Sequence, residues 1–369
     1  AYEFGIGTER NLDEAVRYYK MSANAGNNLG QFKLGLLYWE GKGVDEDHKN
    51  AVKWFSKAEA QGHVKSKTML GFAYLQDKGV FWGKDVSKAF RYFKAAAIEG
   101  EPEAQLMLGE AYLLGEHLAK DVKEGVSWLE KSASQEFFPA QERLGLYYFN
   151  GEILKEDKKE AFRWLKPAAD KGSVVAQKLV AVSHFYGDYL QKDMKASFDY
   201  FMLAANQGDP FAQNSVGNSF FYGLGTDINY DEAFKWYKKS AEQGLMEAQL
   251  SLGVVYQTGK GAERDLNAAF TWYKRSADQD YTPAQTAIGL AYETGLGVDK
   301  DESQAVKFYR LAAEKEDSSA QYYLGKALYE GTGIKKDYEE AVSWLKKASD
   351  KNDDDAQVLL GLAYFYGNG

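Results

Sequence analysis

Apolar positions in this chain recur with two nested periods. The short one is helical: Ala104, Leu108, Ala111 and Tyr112 stand at i, i+4, i+7 and i+8, one stripe of a 3.6-residue helix. The long one is that of a repeat, in which the string Ala-Gln-x-x-Leu-Gly-x-x-Tyr-x-x-Gly returns along the whole chain. Its first glycine falls at Gly35, Gly71, Gly109, Gly145, Gly217, Gly253, Gly289, Gly325 and Gly361, with Ala181 in the fifth slot. The step is 36 residues everywhere except between Gly71 and Gly109, where it is 38. A period held across a whole chain marks a tandem array, and it predicts an α/α hairpin in each unit.

The first helix of each unit, helix A, carries the repeat string. A turn follows, often Gly-x-Gly as at Gly259/Gly261 and Gly295/Gly297, where positive φ ends the helix. Helix B then reads like Asp231-Glu232-Ala233-Phe234-Lys235-Trp236-Tyr237-Lys238-Lys239, with acids first and bases last, the order that suits a helix dipole. Glycine inside helix A costs about 1 kcal/mol against alanine. Close packing accounts for its retention, with Ala51, Ala89, Ala161, Ala233, Ala269, Ala305 and Ala341 marking the approach of helix B. One hairpin cannot cover its own apolar face, so neighbouring hairpins stack.

The pattern resembles the Sel-one-like repeat family, relatives of the tetratricopeptide repeat. The matching residues are the helix A string, the turn Gly295-Leu296-Gly297-Val298-Asp299-Lys300-Asp301 and the Ala-x-x-Trp-Tyr-x-x-Ala of helix B. The resemblance implies an all-α fold, a right-handed α/α superhelical solenoid, and an adaptor role. It spans the whole chain as a single repeat array, 1–369. Tyr2 aligns with Tyr38, so a half unit is expected at 1–26, nine complete units at about 28–352, and a final half unit at 354–369.

Composition narrows the function. With 45 Lys+Arg against 54 Asp+Glu the formal net charge is −9, which argues against nucleic acid as a partner. Zero cysteine removes disulfides and thiolate chemistry; it tilts the origin towards bacteria and leaves the compartment open, whether exported, periplasmic or cytoplasmic. No apolar run is long enough to insert in a membrane. The Gly-x-Gly pairs follow no strand, so they read as interhelical turns rather than phosphate loops. The column Tyr18, Trp54, Tyr92, Trp128, Trp164, Tyr200, Trp236, Trp272, Phe308 and Trp344 reads as core. His48, His63 and His117 read as solvated surface and His184 as local repacking beside Phe220. No metal spacing and no nucleophile–base pair is evident, so neither catalytic residues nor a cofactor are expected.

What remains is the variable face. By analogy with tetratricopeptide repeats, helix A lines a concave surface through slots six and three residues before the repeat glycine and one, four and five after it. Asn214 and Asn218 share one face there, and an amide side chain can pair with an extended peptide backbone. Phe221, Tyr222, Phe185, Tyr186, Lys178 and Gln257 complete the expected partner-binding set. Thr286 falls in an exposed slot on the same reasoning. The two extra residues in the 38-residue unit, Phe81 and Trp82, form a second candidate contact or a loop tucked back on the array. The leading reading is a non-enzymatic, monomeric scaffold for a protein or peptide partner, basic or neutral, with salt-sensitive association. The alternatives are a penicillin-binding hydrolase, as some family members are described, and a structural spacer between other domains.

Overall fold

The computed structural model describes residues 11–81 and 83–369. Every regular element among them is a helix, and the chain divides into two compact units, Ala1–Ala176 and Gln177–Gly369. In the first, the A helices are α2 (Asn28–Glu40), α4 (Val64–Gln76), α6 (Pro102–Leu114) and α8 (Phe138–Asn150). The B helices are α1 (Leu12–Asn24), α3 (His48–Glu59), α5 (Val86–Ile98), α7 (Val122–Ala133) and α9 (Lys158–Asp170). The boundary falls in α10 (Val174–Tyr186), which opens the second unit's A series: α12 (Pro210–Tyr222), α14 (Met246–Thr258), α16 (Thr282–Thr294), α18 (Ser318–Glu330) and α20 (Asp354–Tyr366). Its B helices are α11 (Met194–Asn206), α13 (Tyr230–Glu242), α15 (Leu266–Ala277), α17 (Glu302–Glu314) and α19 (Tyr338–Ser349). Each unit is a stack of α/α hairpins in which helices pack on their successors, from α1 to α9 in the first and from α11 to α20 in the second.

Local chemistry sets where helices start. All ten B helices begin at an Asp or Asn, from Asn11 and Asp47 to Asp301 and Asp337, whose side chain accepts the N–H three residues on. Each such cap is worth about 0.5–2 kcal/mol against alanine.

The repeat glycine does what its position suggests. A Cβ on Gly289 would lie 2.5 Å from a ring carbon of Tyr309, and one on Gly35 2.6 Å from Phe55. The filling residue is thus four positions beyond the helix B alanine, and Phe55, Phe93, Leu129, Leu165 and Leu345 in that place are fully buried. The aromatic column read as core stands one position earlier and is mostly half-buried. Cations cover several of its rings: Lys131 lies 3.9 Å from the Trp128 ring, Lys239 4.1 Å from Trp236 and Lys347 3.9 Å from Trp344. The one-residue step turns a side chain by about 100° on a 3.6-residue helix, enough to move it from the hairpin interior to its rim.

Neighbouring hairpins are keyed by a second polar register. In α6 the Gln105 amide donates to the Ala97 carbonyl and its oxygen accepts from Gln135 at 2.8 Å; Gln213/Gln243 and Gln249/Gln279 repeat this. Where the helix B exit glycine is replaced by an acid at positive φ (Glu136, Asp280 or Glu316), the next unit carries Lys171, Lys315 or Lys351 in place of that second glutamine. Each lysine pairs with its acid. Gln141, Gln285 and Gln321 are then left with an unpaired Oε1.

Candidate functional site

Helices α10, α11 and α12 of the second unit enclose a groove of about 450 Å³. Val182, Phe185 and Tyr186 come from α10, Phe201 from α11, and Phe211, Asn214, Ser215, Asn218, Ser219 and Tyr222 from α12, with Leu224 beyond its end. Tyr186, Tyr222 and Phe211 are exposed by 64, 63 and 45%, far more than large aromatic side chains in a packed helix array require.

The fifth unit departs from the rule at three positions. Ala181 stands in the glycine slot and is fully buried. Ser197 stands in the helix B alanine slot, buried with its Oγ unpaired. His184 takes a tyrosine slot; its ring stacks on Tyr200 at 6.2 Å and its Nδ1 lies 2.9 Å from the Gln191 carbonyl. The expected neighbour Phe220 packs on Phe198 instead.

Asn214 is the least satisfied group in the groove. It is 9% exposed, yet its Oδ1 has no hydrogen-bond partner. The cause lies in the slot three residues before the repeat glycine, which matches the cap of the next helix A. Thr68 donates to Glu101 at 3.1 Å, Lys178 to Asp209 at 2.8 Å and Thr286 to Asp317 at 3.1 Å, and Ser173 bonds Glu142. Phe32 meets His63 ring to ring at 4.4 Å, and Leu106 and Leu250 join the clusters of Phe137 and Tyr281. Polar meets polar and apolar meets apolar. For Asn214 the corresponding cap residue is Leu245, which has no polar side-chain atom and makes no side-chain cap bond. The same register corrects the placement of Thr286, which is 7% exposed and bonded rather than open.

The other amide is engaged. Asn218 Oδ1 accepts from the Tyr237 hydroxyl at 2.8 Å, and burial pushes that hydroxyl's pKa far above its usual value, so it remains a donor. Ser215 and Ser219 donate to the carbonyls of Phe211 and Ser215, at 2.9 and 3.0 Å, rather than to any base. Of the remaining expected residues, Tyr222, Phe185 and Tyr186 line the groove, whereas three stand apart. Phe221 turns to Tyr230 at 5.2 Å, Lys178 is bound to Asp209, and Gln257 accepts from the Tyr273 hydroxyl at 2.5 Å.

Elsewhere, Phe81 is 88% exposed, while Trp82 lies outside the described residues. His48 and His63 are half-buried against Trp39 and Phe32, not solvated, and the His117 ring lies 5.7 Å from Phe90. Among the described residues no group of three or more His, Asp or Glu side chains could hold a metal ion, and no helix is long and apolar enough to cross a membrane.

Comparison with known proteins adds the family. The family described as Sel1 repeat matches in eleven segments: 1–27, 28–63, 64–101, 102–137, 139–173, 174–209, 210–245, 247–281, 282–317, 318–353 and 354–369. The crystal structure of c5321, a protective antigen of uropathogenic Escherichia coli with an SLR fold, is similar over 96% of this chain and 83% of its own. That likeness has 29% identity and a TM-score of 0.74. A Sel1 repeat protein from Oxalobacter formigenes is similar over 89% of this chain and 92% of its own, with 27% identity and a TM-score of 0.61. Among curated relatives, the ERAD-associated E3 ubiquitin-protein ligase component HRD3B of Arabidopsis thaliana is 36% identical over 86 residues, 20% of this chain. The sel1-like repeat-containing protein L21 of Acanthamoeba polyphaga mimivirus is 33% identical over 75 residues. The match spans only 13% of the length of each of these two relatives. The repeat period, the hairpin stack and these matches together place the chain in the Sel1 repeat family, whose tandem helical repeats form scaffolds for protein interaction.

Proposed function

We propose that this chain is a protein-interaction scaffold that holds an extended segment of a partner protein in the groove between α10 and α12. The observation that carries the reading is the Asn214 amide, buried in the groove wall with its oxygen unpaired. An unsatisfied buried amide costs about 1–3 kcal/mol; the oxygen is occluded in the free chain, so rotation of the side chain into the groove is the step that would present it to a peptide N–H. Around it Tyr186, Tyr222 and Phe211 supply aromatic contact area of the kind that dominates binding hot spots. The likeness to a ligase component agrees with such a holding role, although it covers few repeats.

Titration of a captured partner against Asn214→Leu and against Lys238→Ala/Lys239→Ala on helix B tests this. The first change should weaken binding at least tenfold and the second leave it unchanged. Equal affinities for the two variants would place the site elsewhere on the array.

A further inference from the structure

The walls of the α10–α12 groove say more about its occupant than that it is a peptide. Among ten A helices, nine carry at least one charged residue in the five slots that flank the repeat glycine: Glu40, Lys65, Glu110, Glu142, Lys178, Glu247, Glu293, Lys326 and Asp355 are examples, one from each. Only α12 carries none, having Phe211, Asn214, Asn218, Phe221 and Tyr222. The one charge among the α10 slots, Lys178, is neutralised by Asp209 at 2.8 Å. No lining residue of the groove is charged, in a chain where 27% of residues are.

We infer that the groove selects an uncharged segment of its partner, extended, with an aromatic or branched aliphatic side chain as anchor and with its backbone amide pairing to Asn214. This rests on the groove being the binding site. The physical reason is desolvation. A lysine or aspartate brought between Phe185, Tyr186, Phe201 and Phe211 would lose water and find no countercharge, so the groove rejects it without any repulsive charge of its own. The serine hydroxyls cannot stabilise an anion, since both protons are committed to the helix backbone, and to a cation they offer neutral lone pairs without a countercharge. Apolar side chains meet no such penalty, and Asn214 supplies the polar contact that orients the chain. The consequence for ionic strength departs from the expectation drawn from the net charge of −9. Association at a charge-free surface is insensitive to salt, whatever the total charge of the scaffold.

A library of random dodecapeptides displayed on phage and selected on the full chain tests the inference. Selected sequences are then made with capped ends and titrated at low and high salt against wild type, Asn214→Leu and Ser215→Glu. Asn214→Leu keeps its fold, because leucine occupies the same slot at Leu106 and Leu250. Selected peptides should share an uncharged core with a large apolar anchor. Their affinity should change less than about twofold between low and high salt, fall at least about tenfold when the anchor becomes Lys or Asp, and fall likewise on Asn214→Leu. Ser215→Glu, which places one charge on the groove wall, should transfer preference to the lysine-substituted peptide and make its binding salt-sensitive. Charged peptides that lose binding on Asn214→Leu would keep the groove and overturn the inference. Peptides indifferent to both variants would reject the groove itself, and failure to select any peptide would reject a peptide occupant.

Discussion

Replacing Asn214 with leucine should stabilise the protein, which is unusual for a substitution at a residue argued to bind a partner. The side chain is 9% exposed, its oxygen has no hydrogen-bond partner, and the cap residue it should answer to is Leu245. An unpaired buried amide costs about 1–3 kcal/mol; leucine has the same branched outline and number of side-chain heavy atoms, fills the same slot at Leu106 and Leu250, and removes that cost while matching its apolar neighbour. The gain should therefore be of the order of 1–3 kcal/mol, read as a higher urea midpoint at unchanged m-value. Two controls make the result specific. Thr286→Leu, in the same slot of α16, breaks the 3.1 Å bond to Asp317 and should lower the midpoint. Leu250→Asn, the reverse change in α14, places an amide opposite the aromatic cap Tyr281 and should lower it by about the same 1–3 kcal/mol. An unchanged or lower midpoint for Asn214→Leu would show that the amide is satisfied in solution and would leave the groove without an unpaired polar anchor.

Asn218→Ala strands the buried Tyr237 hydroxyl and should cost about 1–3 kcal/mol; adding Tyr237→Phe should restore most of it, as a double-mutant cycle by urea denaturation would show. Gly289→Ala drives a methyl to 2.5 Å from the Tyr309 ring and should destabilise by roughly 1–3 kcal/mol, whereas Gly361→Ala, with nothing within 4 Å, should be neutral or gain up to about 1 kcal/mol in the same assay. Burial, and then the Lys65 charge, lower the pKa of His63 below its ordinary 6.5. The folded protein thus binds that proton less readily than the unfolded chain, so stability is full above about pH 6.5 and declines as pH falls through the lowered value. His63→Asn should flatten that part of the pH–midpoint curve, and an unchanged slope would assign it to another group.

The repeat, its helices and the glycine contact were legible because each is a short-range pattern copied ten times. Gly289 and Ala305 announce a close crossing wherever they recur. The filling residue was missed by one position: tryptophan is the more conspicuous side chain, yet Tyr309 and Phe55 are the ones that enter the hairpin. A signal for this was present in the basic residue three positions after Trp128, Trp236 and Trp344, which lies over the ring at the hairpin rim. In the groove, Tyr186, Tyr222, Asn214 and Asn218 were reached by applying the slots suggested by tetratricopeptide repeats to the helix period, and all four line the groove. What periodicity cannot show is the neighbouring hairpin. The slot of Asn214 answers to a cap 31 residues later, and Asn218 and Gln257 answer to tyrosines on the following helix B. The first pairing exists only once hairpins stack and the other two only once a hairpin closes on itself, and together they separate the free amide from the two engaged ones.

The most direct measurement is site-specific photocrosslinking, with benzoylphenylalanine placed at Tyr222 on the groove rim or at Lys238 on helix B, and with a library-selected peptide as bait. Position 222 should capture the peptide, and the yield should fall when Asn214 is also changed to leucine. Capture from position 238, or capture from 222 that is indifferent to Asn214→Leu, would contradict the groove between α10 and α12 as the binding site.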